Sequence, residues 1–329
     1  MKEQLENKSV CHVTSVHPWD DIRIFKKEAT STAKFAKKTY LVATNAPDQC
    51  INNVHVTNVS FPDGFSRIKR ILFLKKKVIN KALELNADVY HLHDPELLSG
   101  VKKLKRKGKI VIYDSHEDLP KSLLSKSWLK FNWLRKLVSR LYNRYEKRIC
   151  AKCDGVISVL PEITSQFSNQ HLQTIYNYPL IEGSEDKKST SDRFTLIYNG
   201  GLTAIRGIKE ICEAMNHLEE NFQLNLLGKW ESETYKNECL ATVSDQRKIN
   251  YMGLVSYDTC QNELRKADLG LVMFHKVPNH EISLPNKSFE YVINELPVVM
   301  SNIDYWQKEF DSFASVSYTH LTLPTKVTV

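Results

Sequence analysis

The chain has 329 residues, 42% of them hydrophobic and 26% charged. That balance excludes an intrinsically disordered chain and suits two domains of ordinary size, each with its own core. The net charge of +8 is unevenly spread: residues 1–180 hold 31 Lys and Arg against 17 Asp and Glu (+14), and residues 181–329 hold 15 against 21 (−6). No stretch approaches the ~18 uninterrupted apolar residues of a membrane span. Residues 1–8 are too polar for a signal peptide. Seven scattered cysteines suit a reducing, cytoplasmic setting better than a disulfide framework.

In chain order, short β-branched runs at residues 10–15, 39–44, 54–59, 88–91, 110–113 and 155–159 are predicted strands. Helical stretches at 24–36, 68–85, 96–105 and 128–152 alternate with them, which predicts βα units and a parallel sheet. Cys150 and Cys153 form one CxxC with no second ligand pair for zinc, so they read as packed thiols. Residues 177–192, NYPLIEGSEDKKSTSD, lack periodicity and read as an interdomain linker. The rhythm then restarts with strand 195–199, helix 208–218, strands 223–227 and 250–252, helix 257–267, strand 269–272, helix 287–294 and strand 297–300. The expected fold class is α/β: two doubly wound, Rossmann-like domains, 1–176 and 193–315, facing a central cleft. Ligands in such sheets sit beyond the carboxyl ends of the strands. Residues 316–325, VSYTHLTLPT, can be written in the codons of a transposon adaptor used in sequencing libraries. The expectation is that residues 316–329 are not native and that the C-terminal domain is incomplete.

Five stretches carry groups suited to chemistry, the first two of them to a phosphorylated ligand. In 284–299, LPNKSFEYVINELPVV, Pro285 and Asn286 open a helix whose N-terminus offers free N–H groups and a positive dipole to a diphosphate. Lys287 adds a charge there, and Glu290, one turn on, can accept hydrogen bonds from ribose hydroxyls. A solvated amphipathic helix is the plainer reading of the same pattern. In 198–208, YNGGLTAIRGI, Gly200 and Gly201 let the backbone approach a phosphate, and Arg206 lies just before the next helix. Residues 89–97, VYHLHDPEL, and 111–120, VIYDSHEDLP, each run from a strand into a loop holding His and acids: His93 and Asp94 in one, His116 and Glu117 in the other. The opening VTSVHPWDDIRIFKKEA, 13–29, concentrates Asp20, Asp21 and Arg23; Arg23 and Glu28 read equally well as helix-surface charges.

Together these stretches resemble the GT-B glycosyltransferases of the family-four type, over residues 10 to about 302. Residues 284–299 are similar to the family's P-N-K-x-F-E-Y-M-A-x-G-x-P-V-I at Pro285, Asn286, Lys287, Phe289, Glu290, Tyr291, Pro297 and Val298. The resemblance implies that Glu290 binds the nucleotide ribose. The partner glutamate of many members is replaced by Ile282, leaving Glu281 as the nearest acid. The glycine after the helix is Glu295, so Asn294 or Glu295 must take the left-handed cap, and Asn tolerates it better. Residues 198–208 resemble the loop G-R-L–x3–K-G, in which two basic residues grip the donor diphosphate. Arg206 matches the second; Gly201 stands at the first, with Lys209, Lys229 or Lys287 as replacements. The segments H-x-H-D-P-E-L and Y-D-x-H-E imply a contact of His116 with the donor sugar, and supporting acceptor-side roles for His93, Asp94 and Glu117. The opening resembles H-x-x-D-D-x-R-I-F-x-K-E and puts Asp20, Asp21 and Arg23 on the acceptor side.

The resemblance implies a retaining transferase of a hexose-like sugar, from a nucleotide diphosphate donor to a glycan or lipid-linked acceptor, in bacterial capsule, exopolysaccharide or lipopolysaccharide synthesis. No cofactor is expected, and no Asp-x-Asp metal motif stands out. A GT-B sugar-nucleotide epimerase and a non-catalytic nucleotide-sugar-binding homologue remain as alternatives. The basic stretches 102–109, KKLKRKGK, and 128–152, with Trp128, Phe131, Trp133, Leu134, Leu137 and Leu141 among Arg and Lys, fit two readings. They are charged helices packed on the sheet, or a surface for anionic lipid that makes the protein peripheral on the inner face of the plasma membrane. No nucleic-acid motif is present, and no such partner is expected.

Overall fold

The computed structural model describes residues 5–60, 67–124, 131–180, 193–278, 280–310 and 314–317. The chain divides into two compact units, Met1–Asn177 and Tyr178–Val329.

The first unit is built on eight strands: β1 Ser9–Val13, β2 Lys38–Thr44, β3 Gln49–Ile51, β4 Val54–Val59, β5 Val89–Leu92, β6 Ile110–Ser115, β7 Gly155–Ser158 and β8 Leu172–Thr174. Their order is β3-β4-β2-β1-β5-β6-β7-β8. Every pairing is parallel except the short β3–β4 hairpin. The central strands are apolar and β-branched, and β5 is buried along its whole length, as a strand covered on both faces must be. The chain moves outward from β1 to β2 and β4, then returns to lay β5 on the other side of β1. That reversal is a topological switch point, and the loops leaving β1 and β5 flank it.

The second unit repeats the plan with β9 Phe194–Asn199, β10 Phe222–Leu227, β11 Ile249–Gly253, β12 Leu269–Val272, β13 Val298–Ser301 and β14 Ala314–Ser317. The order is β11-β10-β9-β12-β13-β14, all parallel, with the switch point between β9 and β12. Its core includes Ile197, Tyr198, Leu224, Leu226, Tyr291, Met300, Trp306 and Phe310. Both sheets start their strands with the same device. An Asp just before one strand accepts an amide from the first or second residue of its neighbour: Asp88 from Ser9, Asp154 from Val111, and Asp268 from Thr195, each at 2.8 Å.

Several elements differ from the expectation. The helix expected over 24–36 is a π-helical turn at Ile22–Ala29 followed by a single turn, Thr30–Thr32. Asp21 sets its start by accepting the amides of Arg23 and Ile24, both at 2.9 Å. Helices Leu119–Leu124, Glu233–Ala241 and Asp304–Phe310 were not foreseen, because each is too short or too polar to show a clear apolar stripe. Helix Asn286–Ile293 ends with Glu295, not Asn294, in the left-handed region, at φ 54°. Asn294 instead uses its amide to donate to Glu290 O and Gln261 Oε1. Val316 and Ser317, the first residues of the stretch expected to be foreign, end the strand that pairs with β13. Residues 318–329, Trp128, and the expected linker from 181 to 192 lie outside the described residues.

Helix Asn286–Ile293 is seated on β12 through Tyr291. The ring lies over Gly270, where an added Cβ would sit 2.4 Å from Tyr291 Cδ2. Gly270→Ala should therefore lower stability by about 1–3 kcal/mol, as overpacked core sites do. Urea unfolding of the full chain measures it, and an unchanged midpoint would show that this helix is not fixed by Tyr291.

Candidate functional site

In the first unit the switch point gathers imidazoles and carboxylates. His12 on β1 and His91 on β5 are register partners, with ring centroids 4.9 Å apart. His93, two residues on, falls on the same face as His91 and stacks on it at 4.5 Å. Asp114 on β6 is fully buried. Arg23 grips it with two parallel bonds, Nε to Oδ2 and Nη2 to Oδ1, both 3.0 Å, and spends a third donor on Ile175 O at 3.1 Å. Asp114 Oδ2 also lies 3.1 Å from His116 Nε2 and 3.6 Å from His93 Nδ1. Burial works against its charge, but His116, His93 and Arg23 outweigh burial and hold its pKa well below the usual carboxylate range. Glu28 sits 3.0 Å from Arg23 Nε, yet that N–H is aimed at Asp114. Burial, and then the Asp114 charge, push Glu28 well above the ordinary range. Burial lowers His12, His91 and His93.

A second anchor lies beside this cluster. Asp94 is buried, and its Oδ2 accepts from Thr14 Oγ1 at 2.9 Å, Ser15 Oγ at 3.1 Å, Val16 N at 3.2 Å and the Ser15 amide. It thereby ties the loop after β1 to the loop after β5. His17 bridges Asp94 and Asp21, 3.5 Å from each. Burial raises Asp21, but His17 and the Ile24 amide prevail and bring it down to about 2.

The structure thus brings His93, Asp94, Asp21, Arg23 and His116 together, and leaves Glu117 and Asp20 exposed at the rim. The Glu117 carbonyl accepts from Ser115 Oγ and Leu119 N. Arg23, expected on the acceptor side or on a helix surface, is 5% exposed and turned inward. The reason is electrostatic: Asp114 needs a buried cation. His12, His91 and Asp114 were not singled out from sequence, and Glu28, which also read as a helix-surface charge, is turned inward to His91 and His93 at 3.8 Å. The available signal was the H-x-H spacing on a strand, which puts both rings on one face.

In the second unit, the loop after β9 forms the other cluster. Gly207 takes φ +69° and caps helix Ile208–Ala214. Gly228, at φ +140°, lies so close to the Gly200 carbonyl that a Cβ would meet it at 1.9 Å. Arg206 Nη1 donates to Gly201 O at 3.2 Å. Two cations crowd the glycine pair: a Cβ on Gly200 would sit 2.7 Å from Lys287 Nζ, and one on Gly201 would sit 2.9 Å from Arg206 Nη1. Lys287 Nζ lies over the rings of Tyr198 and Phe274, at 5.1 and 5.3 Å, and Arg206 over Phe274 at 5.6 Å. Burial, and then the neighbouring Arg206, lower the Lys287 pKa to about 7. Glu290 Oε2 accepts from Asn199 Nδ2 at 2.7 Å, which orients it at the end of β9.

Lys287 is therefore the second cation beside the glycines, the position the sequence left open between three lysines. Lys209 is exposed and faces Glu213 at 3.9 Å, and Lys229 is exposed. Asn286 and Glu281 are exposed as well. His280, not foreseen, is buried against Phe274, with ring centroids 4.8 Å apart.

Two parallel α/β units, each with polar groups at its switch point, define the GT-B class of glycosyltransferases. Residues 12–179 match the family model described as Glycosyltransferase Family 4. That is 168 of 329 residues, and the chain belongs to this family. No curated protein matches it in sequence. Among solved structures it is similar to sucrose-phosphate synthase from Thermosynechococcus elongatus (TM-score 0.69, 13% identity, covering 92% of this chain and 83% of that one). It is also similar to HepE from Anabaena in complex with UDP-glucose (0.63, 14%, 90% and 81%). A third is a UDP-forming α,α-trehalose-phosphate synthase from Burkholderia xenovorans (0.64, 11%, 94% and 87%). At these identities the likeness carries the fold.

The Arg23–Asp114 pair gives a direct test of the first cluster. Arg23→Leu leaves a buried carboxylate without its cation and should cost about 3–5 kcal/mol. Chemical denaturation measures the loss; a change below about 1 kcal/mol, the scale of a surface pair, would place Arg23 outside the core network.

Proposed function

We propose that the chain transfers a hexose-like sugar, with retention, from a UDP-sugar to a glycan or lipid-linked acceptor in bacterial surface-polysaccharide assembly. The observation that carries this reading is the convergence of Arg206 and Lys287 on Gly200 and Gly201, with Glu290 one turn into the adjoining helix. Two cations over a glycine pair suit a diphosphate, and a carboxylate at that distance along the helix suits ribose hydroxyls. HepE, whose fold this chain shares, was crystallised with UDP and with UDP-glucose, and this supports a UDP-sugar donor here. As the glycosidic bond breaks, negative charge grows on the diphosphate. Arg206, Lys287 and the helix N-terminus would stabilise it without any reorganisation of solvent. In the first unit, His116 keeps the role the resemblance gives it, a contact with the donor sugar. The donor chemistry assigned to Arg206 and Lys287 requires no metal at the diphosphate.

Isothermal titration with UDP-glucose tests the donor assignment. Arg206→Ala and Glu290→Gln should each weaken binding by about 1.5–3 kcal/mol, the worth of a charged hydrogen bond. Unchanged affinity in both would remove the donor site from this loop. Lys287 adds a pH signature. A diphosphate favours its charged form, so the bound pKa must lie above the free value of about 7. Affinity should be full below that value and fall as pH rises through it. Lys287→Met should bind more weakly and lose this slope; a slope that survives the substitution belongs to another group.

For the acceptor, the membrane reading gains support from helix Asn132–Cys150. Trp133, Leu137, Leu141 and Tyr145 recur every four residues and are 38–65% exposed. Lys136, Arg140, Arg144 and Arg148 form an exposed row beside them. Aromatic and aliphatic side chains flanked by cations suit an anionic lipid interface. Flotation with vesicles containing phosphatidylglycerol should carry the chain along, and Trp133→Ser with Leu141→Ser should abolish this. Equal binding to neutral vesicles would point away from a charge-dependent surface.

A further inference from the structure

We propose that the first unit binds one divalent transition-metal ion, zinc by its ligand chemistry, through Glu28 Oε2, His91 Nε2 and His93 Nδ1, with His12 as the outer-shell partner of His93. The site lies in the first unit's histidine cluster and is independent of the donor reading. His12, Glu28, His91 and His93 each offer a ligand atom within 4.8 Å of the others. Glu28 Oε2 stands 3.8 Å from both His91 Nε2 and His93 Nδ1. Ligand atoms about 2.0–2.2 Å from a tetrahedral zinc lie roughly 3.4 Å apart, so small side-chain rotations close the shell. Arg23 occupies the Oε1 side of Glu28 and leaves Oε2 facing the imidazoles.

Unsatisfied polarity points the same way. Both carboxylate oxygens of Glu28 and Nε2 of His91 are buried without a hydrogen-bond partner. Such atoms are rare; Glu28 Oε1 is turned to Arg23, while Glu28 Oε2 and His91 Nε2 face each other at 3.8 Å, and that pair calls for a ligand that takes lone pairs. The hydrogen positions then follow from a chain of bonds. Thr32 Oγ1 donates to the Glu28 carbonyl at 2.7 Å, so toward His12 Nε2, 3.2 Å away, it can only accept. His12 therefore carries its proton on Nε2 and accepts at Nδ1. That atom takes the Nε2–H of His93 at 3.0 Å. Neutral His93 is left with a bare Nδ1, which lies 3.3 Å from His116 Nε2, 3.6 Å from Asp114 Oδ2 and 3.8 Å from Glu28 Oε2. A ligating imidazole whose other nitrogen donates to a fixed acceptor is the usual outer-shell arrangement of histidine metal sites. Two imidazoles and one carboxylate, with an open fourth position, select zinc, cobalt or nickel over the harder magnesium and calcium.

The test uses the full chain, freed of metal by chelator dialysis and titrated with Co2+. The expected result is about one equivalent bound with visible d–d absorption of tetrahedral strength, bleached when Zn2+ displaces the cobalt. Glu28→Gln and His91→Gln should each weaken Co2+ binding by at least about tenfold, since loss of even outer-shell partners has effects of that size. His275→Gln, at the half-exposed pair with Glu210, should not change it. Circular dichroism shows whether the variants fold. Where they do not, X-ray absorption of the wild-type Zn2+ complex decides, with at least two imidazoles at about 2.0–2.1 Å expected. No cobalt band, a band unchanged in both variants, or a shell without histidine would overturn the site and make the cluster a proton-sharing network only.

Discussion

Asp114 stands within the first sheet with no exposure to solvent, and a carboxylate there stays charged because His116 and His93 lie against it and Arg23 grips both its oxygens. The pair joins the turn after β1 to β6, and through Ile175 it also holds the segment after β8. The Asp114 charge reaches its neighbours: Asp114 Oδ2 lies 3.1 Å from His116 Nε2 and 3.6 Å from His93 Nδ1, and after burial it is the next cause of the raised Glu28 pKa. A buried pair of this kind adds little net stability over apolar packing, but breaking it is costly. Its use here is positional, since it fixes where a set of titratable groups must sit.

The second unit solves a different problem with the opposite charge. Arg206 and Lys287 are brought close together, and their mutual repulsion and burial bring Lys287 down toward neutrality. Like charges held near one another over aromatic faces form a site that an anion would relax. Gly228 and Gly207 make the approach possible, because a side chain at either would strike the Gly200 or Met273 carbonyl. The first unit therefore concentrates imidazoles and acids at its switch point, and the second concentrates cations at its own. The same sheet topology serves both, in keeping with site chemistry being grafted on a shared fold.

Much of this plan was legible in the chain. Short, β-branched runs separated by helical stretches fix βα alternation, and β4 and β12 fall where the pattern put them. The helix at Asn286–Ile293 was legible too, because Asn286, Lys287 and Glu290 lie within one element and need only local geometry. Helix Glu233–Ala241 was not, since it lacks an apolar stripe and owes its place to a Ser232 cap and to tertiary packing.

The sequence by itself determined most of the elements, the division into two α/β units and the residues of each local motif, because capping, periodicity and turn preference act over a few positions. Only the tertiary structure decided which distant groups meet. His12, Glu28, His91 and Asp114 come from β1, the helical turn after it, β5 and β6, and nothing local marks them as neighbours. Arg23 read as an acceptor-side residue or a surface charge until the sheet supplied a buried carboxylate for it to neutralise. The choice of Lys287 over Lys209 was likewise tertiary: helix direction turns Lys209 toward Glu213, while Tyr291 on Gly270 seats Lys287 against the glycine loop. Burial sets the energy of a charge, and burial is a property of the folded chain that no short stretch of sequence contains.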